Sequence, residues 1–179
     1  MGFLDWAHTH GIFGLVNKRT KVLILGLNNA GKSTLLTEVA HNRRRGLQPT
    51  RRPTSEELVT RNVTFVAIDF GSDQQGRRLW GDHLHDVGGI VFLVDVADRE
   101  RFAEAKAELD ALLDVKEIQA IPIVVLGNKM DNLYAVSAEE LRYELDLERI
   151  CDRPIQLWMC SIALKQGYWE GLRWLARHI

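Results

Sequence analysis

The stretch Gly26-Leu27-Asn28-Asn29-Ala30-Gly31-Lys32-Ser33 fits the pattern G-x-x-x-x-G-K-[ST] of a nucleotide phosphate loop. It directly follows an apolar, β-branched run and opens a segment with helical spacing, which is the context that such a loop requires. The glycines let consecutive backbone N–H groups turn toward phosphate oxygens, and the helix N-terminus adds a favourable positive potential. We therefore expect nucleotide contacts from Asn28, Asn29, Ala30, Gly31, Lys32, Ser33 and Thr34.

Two side chains of this loop carry its chemistry. Lys32 would bridge the β- and γ-phosphates, and the hydroxyl of Ser33 would ligate Mg²⁺. Lys32 is accordingly expected to stabilise the charge that develops during phosphoryl transfer.

Outward from this loop, strand patterns alternate with helical patterns along the chain. The strand patterns are Lys21–Gly26, Val63–Asp69, Ile90–Asp95, Ile121–Gly127 and Ile155–Cys160. The helical patterns are Gly31–His41, Arg99–Leu113, Ser137–Leu147 and Tyr168–His178, with Asp98 and Ser137 as predicted N-caps. Strands that are apolar on both faces indicate a parallel sheet. The prediction is an α/β fold with a doubly wound, mostly parallel six-stranded sheet, which binds ligands at the carboxyl ends of its strands.

The composition narrows the class of protein. A chain of 179 residues with 46% hydrophobic content is most simply one domain with a full core. The net charge of −1 argues against a general nucleic-acid binder, and no run approaches the length of a transmembrane helix. The two cysteines, Cys151 and Cys160, have no metal-like spacing, so a reducing compartment such as the cytoplasm is expected.

A second motif, Asn128-Lys129-Met130-Asp131, follows the strand that ends at Gly127. The Asp131 carboxylate can accept hydrogen bonds from both N1–H and the 2-amino group of guanine, and adenine offers neither donor. Such a site discriminates between the bases by roughly 10⁴-fold. Asn128 would tie this loop to the phosphate loop, and the stem of Lys129 would cover the base face. The sequence therefore predicts GTP and GDP as ligands in preference to ATP.

With these two loops in place, the chain resembles the Sar branch of the Sar/Arf family of small GTPases. The matching segments are GLNNAGKST (26–34), PTSEEL (53–58), RRLW (77–80), GIVFLVDVAD (89–98), LGNKMD (126–131), MCSI (159–162) and QGYWEGLRWL (166–175). They run over nearly the whole chain in the family's order and with close spacing. The resemblance implies a P-loop GTPase domain over residues 20–179 that hydrolyses GTP to GDP and phosphate.

The resemblance also implies further site residues. Thr50 falls where the family supplies a second hydroxyl to Mg²⁺, although Thr54, which also precedes a possible strand, is an alternative. Asp69 would hold the ion through water. The segment Cys160-Ser161-Ile162 lies where a backbone N–H reaches the guanine O6, and Ser161 is the expected donor.

The N-terminal segment, residues 1–19, combines large apolar side chains with a basic end at Lys18 and Arg19. Its amphipathicity is ragged, and two glycines, Gly11 and Gly14, interrupt the helical pattern. One interpretation is an arm packed on the domain. The other, which the resemblance favours, is an amphipathic anchor that binds an anionic membrane surface without a covalent lipid.

The chain departs from the family pattern at the residues beside the γ-phosphate. Ser72 replaces a glycine whose N–H contacts that phosphate, and its Cβ disfavours a close backbone approach. Asp73 stands where His or Gln would orient the attacking water, and repulsion from the phosphate should raise its pKa or displace it. Asn28 stands where Sar proteins carry Asp, so a charge lost there accompanies the charge gained at Asp73. Asp73 is thus a doubtful catalytic residue, and intrinsic hydrolysis should be slow.

The resemblance implies a switch at the endoplasmic reticulum and early secretory membranes. Its partners would be an exchange factor in that membrane and an inner-coat subunit that activates hydrolysis. The link between Leu147 and Pro154 lacks the long insertion of Sar proteins, so an Arf-like regulator at another membrane stays open. Ser72 and Asp73 leave open a third possibility, a membrane scaffold that binds GTP without hydrolysing it.

Overall fold

The computed structural model describes residues 20–41, 50–51, 55–59, 63–68 and 84–179. Its strands are β1 Thr20–Gly26, β2 Thr50–Arg51, β3 Ser55–Val59, β4 Val63–Ile68, β5 Val87–Asp95, β6 Ile123–Asn128 and β7 Ile155–Met159. Its α-helices are α1 Lys32–His41, α2 Phe102–Leu113, α3 Ala138–Glu144 and α4 Tyr168–Ala176. The predicted arm, residues 1–19, lies outside the described residues.

All the described strands form one sheet, in the order β2-β3-β4-β1-β5-β6-β7. The five strands from β4 to β7 in this order are parallel, whereas β3 pairs antiparallel with β4 and β2 pairs antiparallel with β3. The predicted α/β fold with a mostly parallel sheet is confirmed. The two-residue strand β2 brings the described sheet to seven strands where six were expected.

Helices cover both faces of the sheet because its central strands are apolar on both faces. In β1, Val22 and Ile24 belong to one core cluster, and Leu23 and Leu25 belong to the other. Helices α1 and α4 pack on the first face, and helices α2 and α3 pack on the second. The β1 strand is therefore buried from Val22 to its end, and the loop that follows it leaves the sheet at its centre.

The helix boundaries differ from the prediction at several ends. Ser137 caps α3 as expected, since its side chain accepts a hydrogen bond from the backbone N–H of Glu140. The Glu140 carboxylate forms an ion pair with Arg99. Asp98 makes no side-chain capping bond, and a 3₁₀ turn over Arg99–Arg101 precedes α2, so the predicted Asp98 cap is wrong. Helix α3 also ends three residues before the predicted Leu147, which starts a separate 3₁₀ turn.

Candidate functional site

An open cleft of about 950 Å³, counted with its mouth, lies at the carboxyl ends of the parallel strands. Its walls come from the segment that starts α1 and from the loops that follow β6 and β7. The cleft is lined by Asn29, Gly31, Lys32, Ser33, Thr34, Asn128, Lys129, Asp131, Asn132, Ser161, Ile162 and Ala163. Ten of these residues were predicted from the sequence as nucleotide contacts, and the fold brings them together.

The phosphate loop has the backbone shape that its glycines permit. Gly31 has φ +108°, and a Cβ added there would lie 2.4 Å from Nδ2 of Asn128. No other residue type fits this position without displacing the loop. Asn29 also has a positive φ, +65°, a conformation that asparagine adopts more readily than most residues.

Lys32 is held across the loop by main-chain carbonyl groups. Its Nζ donates to the carbonyl oxygens of Gly26 at 2.8 Å and Leu27 at 2.7 Å. The residue is 4% exposed, yet it lines the cleft. The loop therefore presents a fixed positive charge next to the N-terminus of α1, the combination that attracts phosphate.

Asn128 joins the segment 128–131, called the base loop below, to the phosphate loop. Its Nδ2 donates to the carbonyl oxygen of Ala30 at 2.9 Å, which is the contact expected from the sequence. Its Oδ1 accepts from the backbone N–H of Ile162 at 3.0 Å. One buried amide therefore connects three loops, and the cleft is built as a single unit.

The base-recognition side of the cleft carries an exposed carboxylate. Asp131 is exposed and lines the cleft beyond Asn128 and Lys129. The N–H of Met130 donates to the carbonyl oxygen of Cys160 at 3.0 Å, which fixes the backbone just before Asp131. The Asp131 carboxylate is therefore accessible from the cleft.

The segment after β7 departs from the prediction in detail. Ser161 is buried, and its N–H donates to the carbonyl oxygen of Gln166 at 3.0 Å. Contact of that N–H with the guanine O6 stays a prediction. It requires the N–H to share its hydrogen bond between Gln166 and the base, or to leave Gln166 for the base. Cys160 does not line the cleft, because its side chain is fully buried behind the loop. Burial raises the pKa of its thiol to about 12, so the group is an inert packing element.

Two predicted contacts from the phosphate loop lie away from the cleft. Asn28 lines a smaller pocket of about 300 Å³, together with Asp95, Asp98 and Arg101. Ala30 is buried and lines the same pocket. Any contact of these two residues with phosphate is therefore through the backbone or needs the loop to move.

Four predicted residues have side chains outside the described part of the chain. Asp69, Ser72 and Asp73 lie outside the described residues. Thr50 is described as backbone in β2, where it pairs with Glu57, and its side chain lies outside the description.

Two groups near the cleft were not anticipated from the sequence. Asp95 accepts a hydrogen bond from Nζ of Lys129 at 2.5 Å, and Arg101 donates through Nη1 to the carbonyl oxygen of Asn28 at 3.0 Å. Asp95 ends strand β5, at the edge of the sheet where ligand contacts gather. In the sequence, the signal for Asp95 is its position at the end of a predicted strand.

Comparison with known proteins agrees with this site. The model of the Arf, or ADP-ribosylation factor, family matches residues 8–179. A relative from Giardia intestinalis named small COPII coat GTPase SAR1 is 36% identical over 191 residues, with both chains fully covered. A tobacco protein of the same name, from Nicotiana tabacum, is 40% identical over 199 residues, again with full coverage of both chains. ADP-ribosylation factor K of Dictyostelium discoideum is 36% identical over 162 residues, an alignment that covers 90% of this chain and 86% of the relative.

The similarity extends over the phosphate loop, the base loop and the sheet that carries them. The SAR1 relatives match from end to end, whereas the Dictyostelium relatives leave a tenth of the chain uncovered. The chain therefore belongs to the ADP-ribosylation factor family of small GTPases, which hydrolyse GTP, and within this family it belongs to the Sar branch.

Proposed function

We propose that this chain is a Sar-type GTP/GDP switch that is recruited to the endoplasmic reticulum and starts assembly of a vesicle coat. The observation that carries the proposal is the end-to-end similarity to two proteins named small COPII coat GTPase SAR1. The cleft supports it, because its walls bring together Lys32, Asn128 and Asp131, three of the residues expected to contact a guanine nucleotide. An exchange factor in the membrane and an inner-coat subunit are the proposed partners.

Hydrolysis would follow the in-line course of phosphoryl transfer. A water attacks the γ-phosphate, and Lys32 and the N–H groups of the phosphate loop stabilise the charge. No residue of this chain is assigned as an arginine finger. We propose that the coat subunit supplies one in trans.

Of the three expected magnesium ligands, Ser33 is the one whose side chain the structure describes, and its chemistry suits the ion. Ser33 lies in the cleft wall in the first turn of α1, and its hydroxyl oxygen is a hard donor of the kind that Mg²⁺ prefers. Thr50 and, through water, Asp69 would complete the protein's share of the ligands. When bound, the ion would neutralise charge on the β- and γ-phosphate oxygens.

Ser33→Asn is expected to weaken binding of Mg²⁺–GTP more than binding of GDP. The reason is that the GTP state depends on both hydroxyl ligands, Ser33 and Thr50. We expect a loss of about tenfold or more in GTP relative to GDP affinity, the size of a single lost charged contact. Equilibrium binding of fluorescent GTP and GDP analogues at fixed magnesium measures it.

Ser137→Asn is the matched control for this variant, because asparagine also caps helices and Ser137 lies at the start of α3. It should leave both affinities unchanged. If Ser33→Asn loads GTP like the wild type, Ser33 does not ligate the metal.

We propose that residues 1–19 carry membrane attachment. Among the described residues, no helix is both long and apolar enough to span a bilayer. Deletion of residues 1–17 should leave a domain that binds nucleotide but no longer sediments with anionic liposomes in its GTP form. Replacement of Lys18 and Arg19 by alanine is a second test of the same segment, and it should weaken binding mainly at low salt. Undiminished sedimentation of the truncated chain would mean that the segment only packs on the domain.

An Arf-like role at another membrane is the second candidate. It is favoured by the ADP-ribosylation factors K and J of Dictyostelium, which are 36% and 35% identical to this chain. It is also favoured by the short link before β7. The alignment with the tobacco relative spans 199 positions against 179 residues here, so at least 20 positions of it face gaps in this chain.

Reconstitution on liposomes separates these functions. Single-turnover GTP hydrolysis is measured with and without the inner-coat subunit of a Sar-type coat. Acceleration by that subunit supports the Sar-type switch, and acceleration only by an activator of Arf proteins supports the second candidate. Stable GTP binding with no acceleration by either would support a scaffold that does not hydrolyse GTP.

A further inference from the structure

The turn that follows β5, residues 95–101, lies against both loops of the nucleotide cleft. Asp95 is paired in register with Asn128, the last residue of β6. The N–H of Val96 donates to the carbonyl oxygen of Asn128 at 2.9 Å, which extends the pairing by one residue. The start of the turn and the start of the base loop are therefore joined by the backbone.

The Asp95 carboxylate is fixed at both of its oxygens. Oδ1 accepts from the N–H of Ala97 at 3.0 Å, which closes an Asx turn, and Oδ2 accepts from Nζ of Lys129 at 2.5 Å. The Asp95 side chain is 17% exposed and that of Lys129 is 32% exposed. Because the Asx turn already holds the carboxylate and solvent is partly excluded, this pair is better organised than an ordinary surface ion pair.

Lys129 is the residue on which this contact acts. Its backbone has φ +69°, an uncommon conformation for lysine, and the residue lines the cleft between Asn128 and Asp131. With its ammonium group held by Asp95, the four-carbon stem has lost most of its rotamer freedom before a nucleotide binds. A side chain ordered in advance costs less entropy at the moment of binding.

Arg101 contacts the other loop from the same turn. Its Nη1 donates to the carbonyl oxygen of Asn28 at 3.0 Å, and its Nε donates to Oε2 of Glu104 at 2.8 Å. The planar guanidinium group thus links the phosphate loop to helix α2. A lysine at this position would lack the geometry to make both contacts.

We propose that Asp95 and Arg101 are positioning residues for the guanine nucleotide, Asp95 through the stem of Lys129 and Arg101 through the backbone of the phosphate loop. Neither residue lines the cleft, so each acts through another group. The proposal rests on the nucleotide-binding role of the cleft and deepens it. It makes the turn after β5 a support that sets how long GDP stays bound.

The test for Asp95 is a double-mutant cycle with Lys129, read as the dissociation rate of a fluorescent GDP analogue from the full chain. Asp95→Asn keeps an Asx turn but removes the charge that holds Lys129. It should speed dissociation by about tenfold, as expected for loss of a hydrogen bond between charged groups. In a Lys129→Met background, which keeps an apolar stem, the same change should alter the rate by less than about twofold.

Arg101 is tested in the same assay. Arg101→Met should speed GDP dissociation by several fold in the wild-type chain and by the same factor in the Lys129→Met chain, because its effect runs through the phosphate loop. Arg101→Lys should not restore the wild-type rate, since it cannot replace the fork. An unchanged rate in Arg101→Met would overturn this half of the proposal.

Asp110→Asn is the matched control for Asp95→Asn. It removes the ion pairs of this carboxylate with Lys106, 2.9 Å away on helix α2, and with Arg149, and it should leave GDP dissociation at the wild-type rate. Urea unfolding of each variant checks that it is folded. If Asp95→Asn is not folded, Asp95→Ser repeats the cycle, because a serine hydroxyl can close the same kind of turn.

The outcomes distinguish this proposal from the one on which it rests. A wild-type chain that does not bind GDP contradicts the nucleotide-binding role itself. A wild-type chain that binds GDP, with Asp95→Asn unchanged, contradicts only the positioning role. Equal acceleration by Asp95→Asn in both Lys129 backgrounds also contradicts it, because Asp95 would then act on the fold and not through Lys129.

Discussion

Asp131→Asn is expected to reverse the base preference of this GTPase from guanine to xanthine nucleotides. The aspartate can accept two hydrogen bonds from guanine, at N1–H and at the 2-amino group. Asparagine presents one acceptor and one donor, which match the N1–H and the 2-oxo group of xanthine. We expect guanine affinity to fall by roughly 10³–10⁴-fold, since an unpaired polar group inside a base site is strongly rejected. Competition binding with GDP, xanthosine diphosphate and ADP measures the change.

The structure supports the choice of this position. Asp131 is exposed on the cleft wall, and the residues before it are fixed by the Met130 to Cys160 hydrogen bond. Asp114→Asn is a suitable control, because it makes the same chemical change at an exposed residue just past the end of α2. It should leave the base preference untouched. Equal affinity of the wild-type chain for GTP and ATP would contradict the assignment outright.

The parts of the molecule that could be predicted are those whose signals are local in sequence. The phosphate loop needs glycine at position 31, and the structure shows why, with φ +108° and Asn128 against the missing Cβ. The strands could be predicted because successive residues of a strand such as β1 pack into two cores, one on each face of the sheet, and so form a continuous apolar run. Even the link from Asn128 to Ala30, across 98 residues, follows from two local motifs on one sheet edge.

The parts that escaped prediction depend on contacts between distant segments. Nothing in the local sequence of Asp95 says that it meets Lys129, because that meeting is set by the register of β5 on β6. The bridge between Ser161 and Gln166 likewise has no local signal in the sequence, and contact of the Ser161 N–H with a base stays a prediction. Helix α2 starts three residues later than its sequence pattern predicts, because a 3₁₀ turn over Arg99–Arg101 precedes it.

Ser72 and Asp73, the residues expected to set the rate of hydrolysis, lie outside the described part of the chain. We propose that Asp73 brings a negative charge to the place where the family has a neutral side chain that orients the attacking water. We propose also that Ser72 keeps the backbone N–H expected to contact the γ-phosphate but adds a Cβ that disfavours its close approach. Both changes would act mainly on the hydrolytic step.

We therefore expect slow intrinsic hydrolysis that Asp73→His accelerates. Positioning and proton transfer by one side chain are worth roughly 10²–10⁴-fold, so the gain should be easy to detect. Ser72→Gly combined with Asp73→His should raise the rate further, because it restores the close backbone approach. Single-turnover hydrolysis of bound GTP measures each rate, and Ser72→Gly alone separates the steric contribution from the electrostatic one.

The opposite result has a definite physical meaning. Asn28 stands where Sar proteins carry Asp, so the phosphate loop has one negative charge fewer, and a protonated carboxyl at Asp73 could then serve as the water-orienting group. In that case the wild-type rate is already fast, Asp73→Ala lowers it steeply, and Asp73→His does not restore it. Asp73→Ala therefore decides between the two accounts. It lowers the rate steeply if Asp73 orients the water, and it changes a slow rate little if Asp73 does not.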